Sequence, residues 1–128
     1  MNKIIIGIIL LSIFNACVLF KSVPPQQLLG YKLVKTIKEN DFSSFKALFS
    51  PSVIQEKFGD DSSEKMEKVF NTYKNKFKEK YKYFEEDNFY FNYQGSETQG
   101  NLYIFYNGKR NAKKTIIFEN DNWLFNEL

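Results

Sequence analysis

Histidine is absent from this sequence, and cysteine occurs once, at position 17. Without histidine the chain lacks the usual general base, the usual metal ligand and the usual pH switch. One cysteine cannot form a disulfide within the chain, so the folded part has to be stable without that cross-link. The acidic cluster Glu85-Glu86-Asp87 lacks the alternating oxygen ligands of a known calcium loop, and it is better read as a solvated turn. We therefore predict no metal and no cofactor.

The N-terminal segment is the most informative part of the chain. After a short start with Lys3, an apolar run of 11 residues extends from Ile4 to Phe14, and Ala16 then precedes Cys17. A positive start, an apolar stretch and a small residue before a cleavage point are typical of a secretory signal peptide. The segment resembles a bacterial lipoprotein signal. The resemblance implies that Cys17 takes a lipid, becomes the mature N-terminus and anchors an exported protein to the membrane of the cell envelope.

Two other interpretations of this segment stay open. The apolar stretch from Ile4 to Phe20 has 17 residues, which is the lower limit for a membrane-spanning helix, so an uncleaved N-terminal helix is the alternative anchor. In the third interpretation Cys17 is an incidental apolar residue of an ordinary signal peptide. All three interpretations place the domain outside the cytoplasm.

Removing the first 16 residues from 128 leaves 112, which is enough for one domain with a single core. We divide the chain into a signal peptide (1–16), a lipidated cysteine with a proline-containing linker (17–27) and one folded domain (28–128). Aromatic residues make up 18% of the chain, so part of this apolar surface is expected to line a pocket or an interface.

The first half of the domain has helical periodicity. Leu29, Leu33, Val34 and Ile37 fall on one face of a first helix. Asp41 is a suitable N-cap for a second helix from Phe42 to Phe49, which we expect Ser50-Pro51-Ser52 to end. The segment 53–58 is ambiguous between a helical turn and a strand. A third helix begins near Asp61, and its apolar face consists of Met66, Val69, Phe70, Tyr73, Phe77, Tyr81 and Phe84.

From residue 88 onward the apolar residues alternate with a period of two, as in strands. The predicted strands cover residues 89–94, 102–106, 113–119 and 123–127. Asn107-Gly108 is a hairpin signal, but a two-residue turn there would set Leu102 opposite Lys113. We prefer a longer loop through Asn111, which aligns Leu102 with Ile116.

The order of three helices followed by four antiparallel strands resembles the NTF2-like cone fold of small secreted lipoproteins. The residues that carry the resemblance are Glu39-Asn40-Asp41-Phe42, Phe45, Leu48-Phe49-Ser50-Pro51 and Glu119-Asn120-Asp121-Asn122-Trp123-Leu124. The resemblance implies an α+β domain in which three N-terminal helices pack on a curved four-stranded antiparallel sheet. Members of this family range from isomerases and dehydratases to binding modules, so the fold does not decide the function.

The sequence favours a non-catalytic binding or interaction module over an enzyme. The candidate pocket is lined by Phe77, Tyr81, Phe89, Phe91, Tyr103, Phe105 and Trp123. Such rings suit a hydrophobic small molecule or the hydrophobic side chain of a partner, unless they simply fill the core. The alternative is a small isomerase or dehydratase that uses a buried Asp or Glu with a tyrosine. The acids, however, sit in segments without an apolar pattern that would bury them.

Both faces of the predicted strands carry large apolar groups, so the face turned away from the helices is expected to expose aromatic rings. That outer face is a candidate surface for a homodimer. The third helix is rich in lysine on the side opposite its aromatic residues. An exported protein rarely meets nucleic acid, so we expect no nucleic-acid partner. The lysines suit anionic groups at the envelope, or simply solubility.

Overall fold

The computed structural model describes residues 23–81 and 85–128. Its helices are α1 (Pro25–Lys38), α2 (Phe42–Lys46), α3 (Pro51–Phe58) and α4 (Ser62–Lys80), followed by strands β1 (Phe89–Gly95), β2 (Gln99–Tyr106), β3 (Lys109–Glu119) and β4 (Asn122–Phe125). The strands form one antiparallel sheet in the order β1-β2-β3-β4, and every connection joins neighbours. The prediction of an α+β domain with helices before a four-stranded antiparallel sheet is confirmed.

The helix count was wrong, because the described residues contain four α-helices rather than three. Pro51 was expected to end the second helix, but it occupies the first turn of α3. Proline is well tolerated there, since its missing N–H would have no partner within the helix and its φ is already helical. The ambiguous segment 53–58 is therefore helical, and Gly59 ends it with a φ of 61°.

Asp41 caps α2 as predicted. Its Oδ1 accepts a hydrogen bond from the Ser44 N–H at 3.1 Å, and its Oδ2 accepts one from Ser44 Oγ at 2.7 Å. The first of these bonds satisfies a backbone donor that the first turn of a helix leaves without a partner.

The predicted register of the β2–β3 hairpin was also wrong. Asn107 (φ 50°) and Gly108 (φ 79°) form a two-residue turn, so that Tyr106 pairs with Lys109. Beyond Phe105 and Arg110 the register shifts, and Ile104 then pairs with Ala112. This bulge absorbs one residue of β3, which keeps the apolar residues of both strands on the same face although the turn is tight.

One face of the sheet packs on the helices. It buries Phe89 and Phe91 of β1, Leu102 and Ile104 of β2, Ile116 of β3 and Phe125 of β4. Gly30 of α1 lies directly over the Phe91 ring, which also meets Tyr31 edge-on at 4.8 Å between centroids. A helix packs this close to a sheet where no side chain stands between them. Gly30 therefore sets how near α1 lies to β1.

The residues that connect α2 to α3 are hydrogen-bonded to β4, the last strand of the sheet. The Ser50 N–H donates to the carbonyl of Phe125 at 2.8 Å, and the Phe125 N–H donates to the carbonyl of Leu48 at 2.8 Å. Ser50 Oγ also donates to the Glu119 carboxylate at 3.1 Å. These contacts join the connection between α2 and α3 to β3 and β4.

The segment that carries Cys17, the proposed signal peptide and the start of the linker lies outside the described residues, as does Phe84 at the predicted end of the third helix. Within the described residues, no helix has both the length and the apolar character needed to cross a membrane.

Candidate functional site

A cleft of about 460 Å³ lies between α4 and the helix-facing side of the sheet. Its size is within the range of small-molecule sites. The lining comes from α1 (Leu33), α3 (Lys57, Phe58), α4 (Lys65, Lys68, Val69, Thr72, Tyr73, Lys76, Phe77, Lys80), the residue after it (Tyr81), the sheet (Ile104, Ala112, Lys114) and Leu128.

The amphipathic pattern of α4 explains this composition. One side of α4 buries Met66, Phe70 and Phe77 in the core. The adjacent strip of the helix surface carries the exposed lysines that line the cleft, which are Lys65, Lys68, Lys76 and Lys80. Their spacings of three, eight and four residues keep them on one side of the helix. The cleft thus lies where the apolar face of α4 changes into its basic face.

The floor of the cleft is aromatic. Phe77 and Tyr81 are both buried, and their rings meet edge-on with centroids 5.0 Å apart. Tyr73 stands beside them, with its ring 6.5 Å from that of Phe77. The Tyr73 hydroxyl is buried and has no hydrogen-bond partner among the described residues. Burial raises the pKa of Tyr73, and the nearby Glu127 raises it further, so the hydroxyl stays protonated and can act as a donor.

Lys114 is the one lysine that the sheet contributes to the cleft within the described part of the chain. It lies two residues from the buried Ile116 and therefore points to the same side of β3. Its Nζ lies 4.7 Å from the centroid of the Tyr73 ring, a distance at which an ammonium group is attracted to the face of an aromatic ring.

The electrostatic environment of Lys114 is unusual for a lysine. Burial lowers the pKa of its ammonium group; Glu127 acts in the opposite direction, and the nearby Lys76 and Lys57 lower the pKa further. The Oε1 atom of Glu127 accepts a hydrogen bond from the Thr115 N–H at 2.8 Å. No carboxylate oxygen of residues 23–81 and 85–128 lies within 4.0 Å of Lys114 Nζ. Among the residues that the structure describes, this partly buried ammonium group therefore has no ion-pair partner.

The structure brings two of the seven predicted pocket residues, Phe77 and Tyr81, to this cleft. Phe89 and Phe91 lie under α1, with their rings parallel and 6.2 Å apart. Phe89 also meets Tyr81 edge-on at 4.9 Å, so it supports the floor from behind.

The other three predicted pocket residues lie elsewhere. Tyr103 and Phe105 are on the outer face of the sheet, where Tyr103 packs against Arg110 and Phe105 against Tyr90. Tyr90 is 53% exposed, so this face does present aromatic surface. Trp123 contacts Phe118 and lines a separate groove beside α1. Successive side chains of a strand point to opposite faces of the sheet. Because Leu102 of β2 faces the helices, Tyr103 faces away from them.

Lys114 and Ala112 were missed as pocket residues, although the sequence contained a signal for them. Alternation from Ile116 puts both on the helix-facing side of β3. The alternation assigns Lys114 to a face, but only the position of α4 across from β3 shows that this face borders a cleft.

The acids considered for catalysis do not enter the cleft. Asp60, Asp61, Glu85, Glu86 and Asp87 are all exposed. Among the residues that the structure describes, no group of three or more carboxylates could hold a metal ion. No family model, curated protein or solved structure matches the chain. The geometry of the cleft therefore has to carry the functional argument.

Proposed function

We propose that this protein is a small non-catalytic binding module, held at the cell envelope through a lipid on Cys17, that takes a hydrophobic ligand in the cleft between α4 and the sheet. The observation that carries the proposal is the aromatic floor of a cleft of about 460 Å³. Apolar surface that stays partly open in a folded domain usually marks a binding site. An NTF2-like cone is the fold we propose for the domain, since such a cone holds its ligand between helices and a curved sheet.

The composition of the cleft supports binding rather than catalysis. An enzyme of the alternative type needs a carboxylate beside the substrate to move a proton. Within the described part of the chain, the cleft lining contains lysines, aromatic rings and aliphatic groups, but no Asp or Glu. Tyr73 stays protonated at neutral pH and is therefore a hydrogen-bond donor rather than a base.

Selective labelling of alanine methyl groups with ¹³C gives a site-specific test. The chain has three alanines, at positions 16, 47 and 112. Ala112 lines the cleft, whereas Ala47 lies in other surface grooves and serves as an internal control. The full chain is isolated from membranes, placed in lipid nanodiscs and equilibrated by dialysis against 1-decanol, a neutral apolar probe. We expect a saturable shift of the Ala112 methyl signal and no shift of the Ala47 signal.

Two variants test whether the probe binds in this cleft. Thr72 is exposed and lines the cleft, so Thr72→Trp should occupy its mouth without disturbing the core, and should abolish the shift. Tyr90→Ala is the matched control, because it removes the most exposed ring of the outer sheet face. It should leave the Ala112 response unchanged. An Ala112 signal that stays fixed at every decanol concentration would refute ligand binding in this cleft.

The same sample tests the anchor. If the signal peptide is cleaved before Cys17, the Ala16 methyl signal is absent and the mass of the mature chain starts at Cys17 with added acyl groups. Cys17→Ser should prevent lipidation. An intact Met1 would favour the uncleaved helix, and a soluble chain that starts at another residue would refute anchoring.

A further inference from the structure

We propose that the ligand of this cleft is a single-chain amphiphile with an acidic headgroup, bound with the headgroup at Lys114 and Tyr73 and the apolar chain on the aromatic floor. The inference rests on the proposed function and names the chemical class of the ligand. The cleft is lined by both lysine side chains and apolar side chains. A ligand that is only charged, or only apolar, would contact one of these two groups and not the other.

The charged side chains of the cleft have one sign. Six lysines line it and, among the described residues, no Asp or Glu side chain does; the lysines are Lys57, Lys65, Lys68, Lys76, Lys80 and Lys114. Like charges in a concave, partly apolar site repel one another and focus a positive potential on its interior. Burial disfavours the charged form of Lys114 most strongly; Glu127 opposes this effect in part, and the neighbouring Lys76 and Lys57 add to it. An anion in the cleft would relieve both effects.

Two residues that line the cleft carry polar groups without an ionic or hydrogen-bond partner among the described residues, and an anionic oxygen would supply one. The Tyr73 hydroxyl is a buried donor for which no acceptor is found in the described residues. Lys114 Nζ lies over the Tyr73 ring at 4.7 Å, so an oxygen paired with the ammonium group would lie beside the tyrosine as well. Hydrogen bonds to charged groups are stronger than those between neutral groups, particularly where water is excluded.

The floor favours an apolar chain over a compact inorganic anion or a nucleic acid. The lining that contains Lys114 also has apolar side chains, which include Leu33, Val69, Phe77 and Ile104. A polyanion would contact the exposed lysines but would leave this surface empty. A neutral apolar ligand would fill it but would leave Lys114 without an ion-pair partner among the described residues.

Three probes separate headgroup from chain in the nanodisc assay described above. Decanoate has both parts, 1-decanol has the chain alone and acetate has the headgroup alone. We expect decanoate to saturate the Ala112 shift at a free concentration at least about tenfold lower than decanol, as one charge-assisted hydrogen bond in a protected site would produce. Acetate should cause no shift at the same concentrations.

Two variants tie the preference to named groups. Lys114→Met keeps the length of the side chain and removes its charge, and it should weaken decanoate about tenfold while leaving decanol within about twofold. Tyr73→Phe removes a single hydroxyl and should weaken decanoate alone. Lys109→Met is the matched control, because Lys109 is an exposed lysine of β3 that does not line the cleft. It should change neither affinity.

The outcomes separate the two proposals. If neither decanoate nor decanol shifts Ala112, both the binding function and the ligand class are wrong. If the two bind equally, or if Lys114→Met weakens them equally, binding stands and the acidic headgroup is wrong. A shift by acetate, or by a single-stranded oligonucleotide, that matches the shift by decanoate would also overturn the amphiphile.

Discussion

Replacing Gly30 with alanine should destabilise the domain, although alanine is the better helix former. Gly30 lies within α1, where glycine costs about 1 kcal/mol relative to alanine in helix propensity. Propensity alone therefore predicts that Gly30→Ala is stabilising. The contact between α1 and β1 predicts the opposite sign.

A Cβ at position 30 would lie 2.3 Å from Cδ1 and 2.4 Å from Cγ of Phe91. Non-bonded carbon atoms separate to about 3.5–4.0 Å, so either the ring or the helix has to move by more than 1 Å. Phe91 has no exposed surface, and Tyr31 and Phe89 hold its ring. Overpacking of this kind costs about 1–3 kcal/mol, and the upper part of that range applies because the ring is confined. After the gain in propensity, we expect a net loss of about 1–2 kcal/mol in the free energy of unfolding.

Urea denaturation measures this change, with the fluorescence of Trp123 as the probe. Trp123 is the only tryptophan of the chain, and it contacts Tyr93 and Phe118 in the folded domain. The midpoint should fall while the slope stays constant, as for a change in stability without a change in compactness.

A second background decides whether the Phe91 ring is the cause. In a Phe91→Leu protein the smaller side chain leaves room for the new methyl group, so Gly30→Ala should become neutral or stabilising there. The coupling energy between the two positions should reach at least about 1 kcal/mol. An equal effect of Gly30→Ala in both backgrounds, or a stabilising effect in the wild-type protein, would refute the packing argument.

Three further predictions follow from individual contacts. Gly108→Ala should lower the free energy of unfolding by about 1 kcal/mol, since φ is 79° there and a Cβ disfavours that conformation; urea titration checks it, and an unchanged midpoint would contradict the hairpin turn. Ser44 donates two hydrogen bonds to Asp41, from its side chain and from its backbone, and they lower the pKa of that carboxyl below its ordinary 3.8. The cap should therefore stabilise the domain fully at pH values above 3.8 and lose this contribution as the pH falls through the lowered pKa. In Asp41→Asn, the free energy of unfolding should depend less on pH in this acidic range. An unchanged pH dependence would contradict the cap. Tyr73→Phe should leave the ligand-free domain as stable as before or more stable, because the hydroxyl has no partner to lose among the described residues; a clear loss in thermal stability would reveal a hidden hydrogen bond.

Short-range patterns decided much of the secondary structure. Asp41 was recognised as a cap, the heptad-like spacing of Met66, Phe70 and Phe77 indicated the long helix, and alternation indicated the strands. Each of these signals depends on residues within a few positions of one another, where local hydrogen bonds and side-chain direction are set by the backbone itself.

The errors fall where a local signal competed with a longer-range one. Pro51 both disfavours a helix before it and favours one after it, and the second effect was missed. The signal for a two-residue turn at Asn107-Gly108 was correct. Our prediction assumed that β2 and β3 pair without a bulge, and for that reason it preferred a longer loop. A single bulge reconciles the tight turn with the apolar alternation, and its position depends on pairing across strands that the sequence of one strand does not contain.

The sequence by itself determined that the domain is a set of amphipathic helices followed by an antiparallel sheet, and that its long helix has one aromatic and one basic side. Only the tertiary structure decided that Phe77 and Tyr81 share a cleft with Lys114, while Tyr103 and Phe105 lie on the opposite face of the sheet. The physical reason is that local periodicity assigns a residue to a face, but the position of α4 relative to β3 decides what that face meets. The lysines of the cleft come from α3, α4 and β3, and a charge pattern assembled from three elements has no period along the chain.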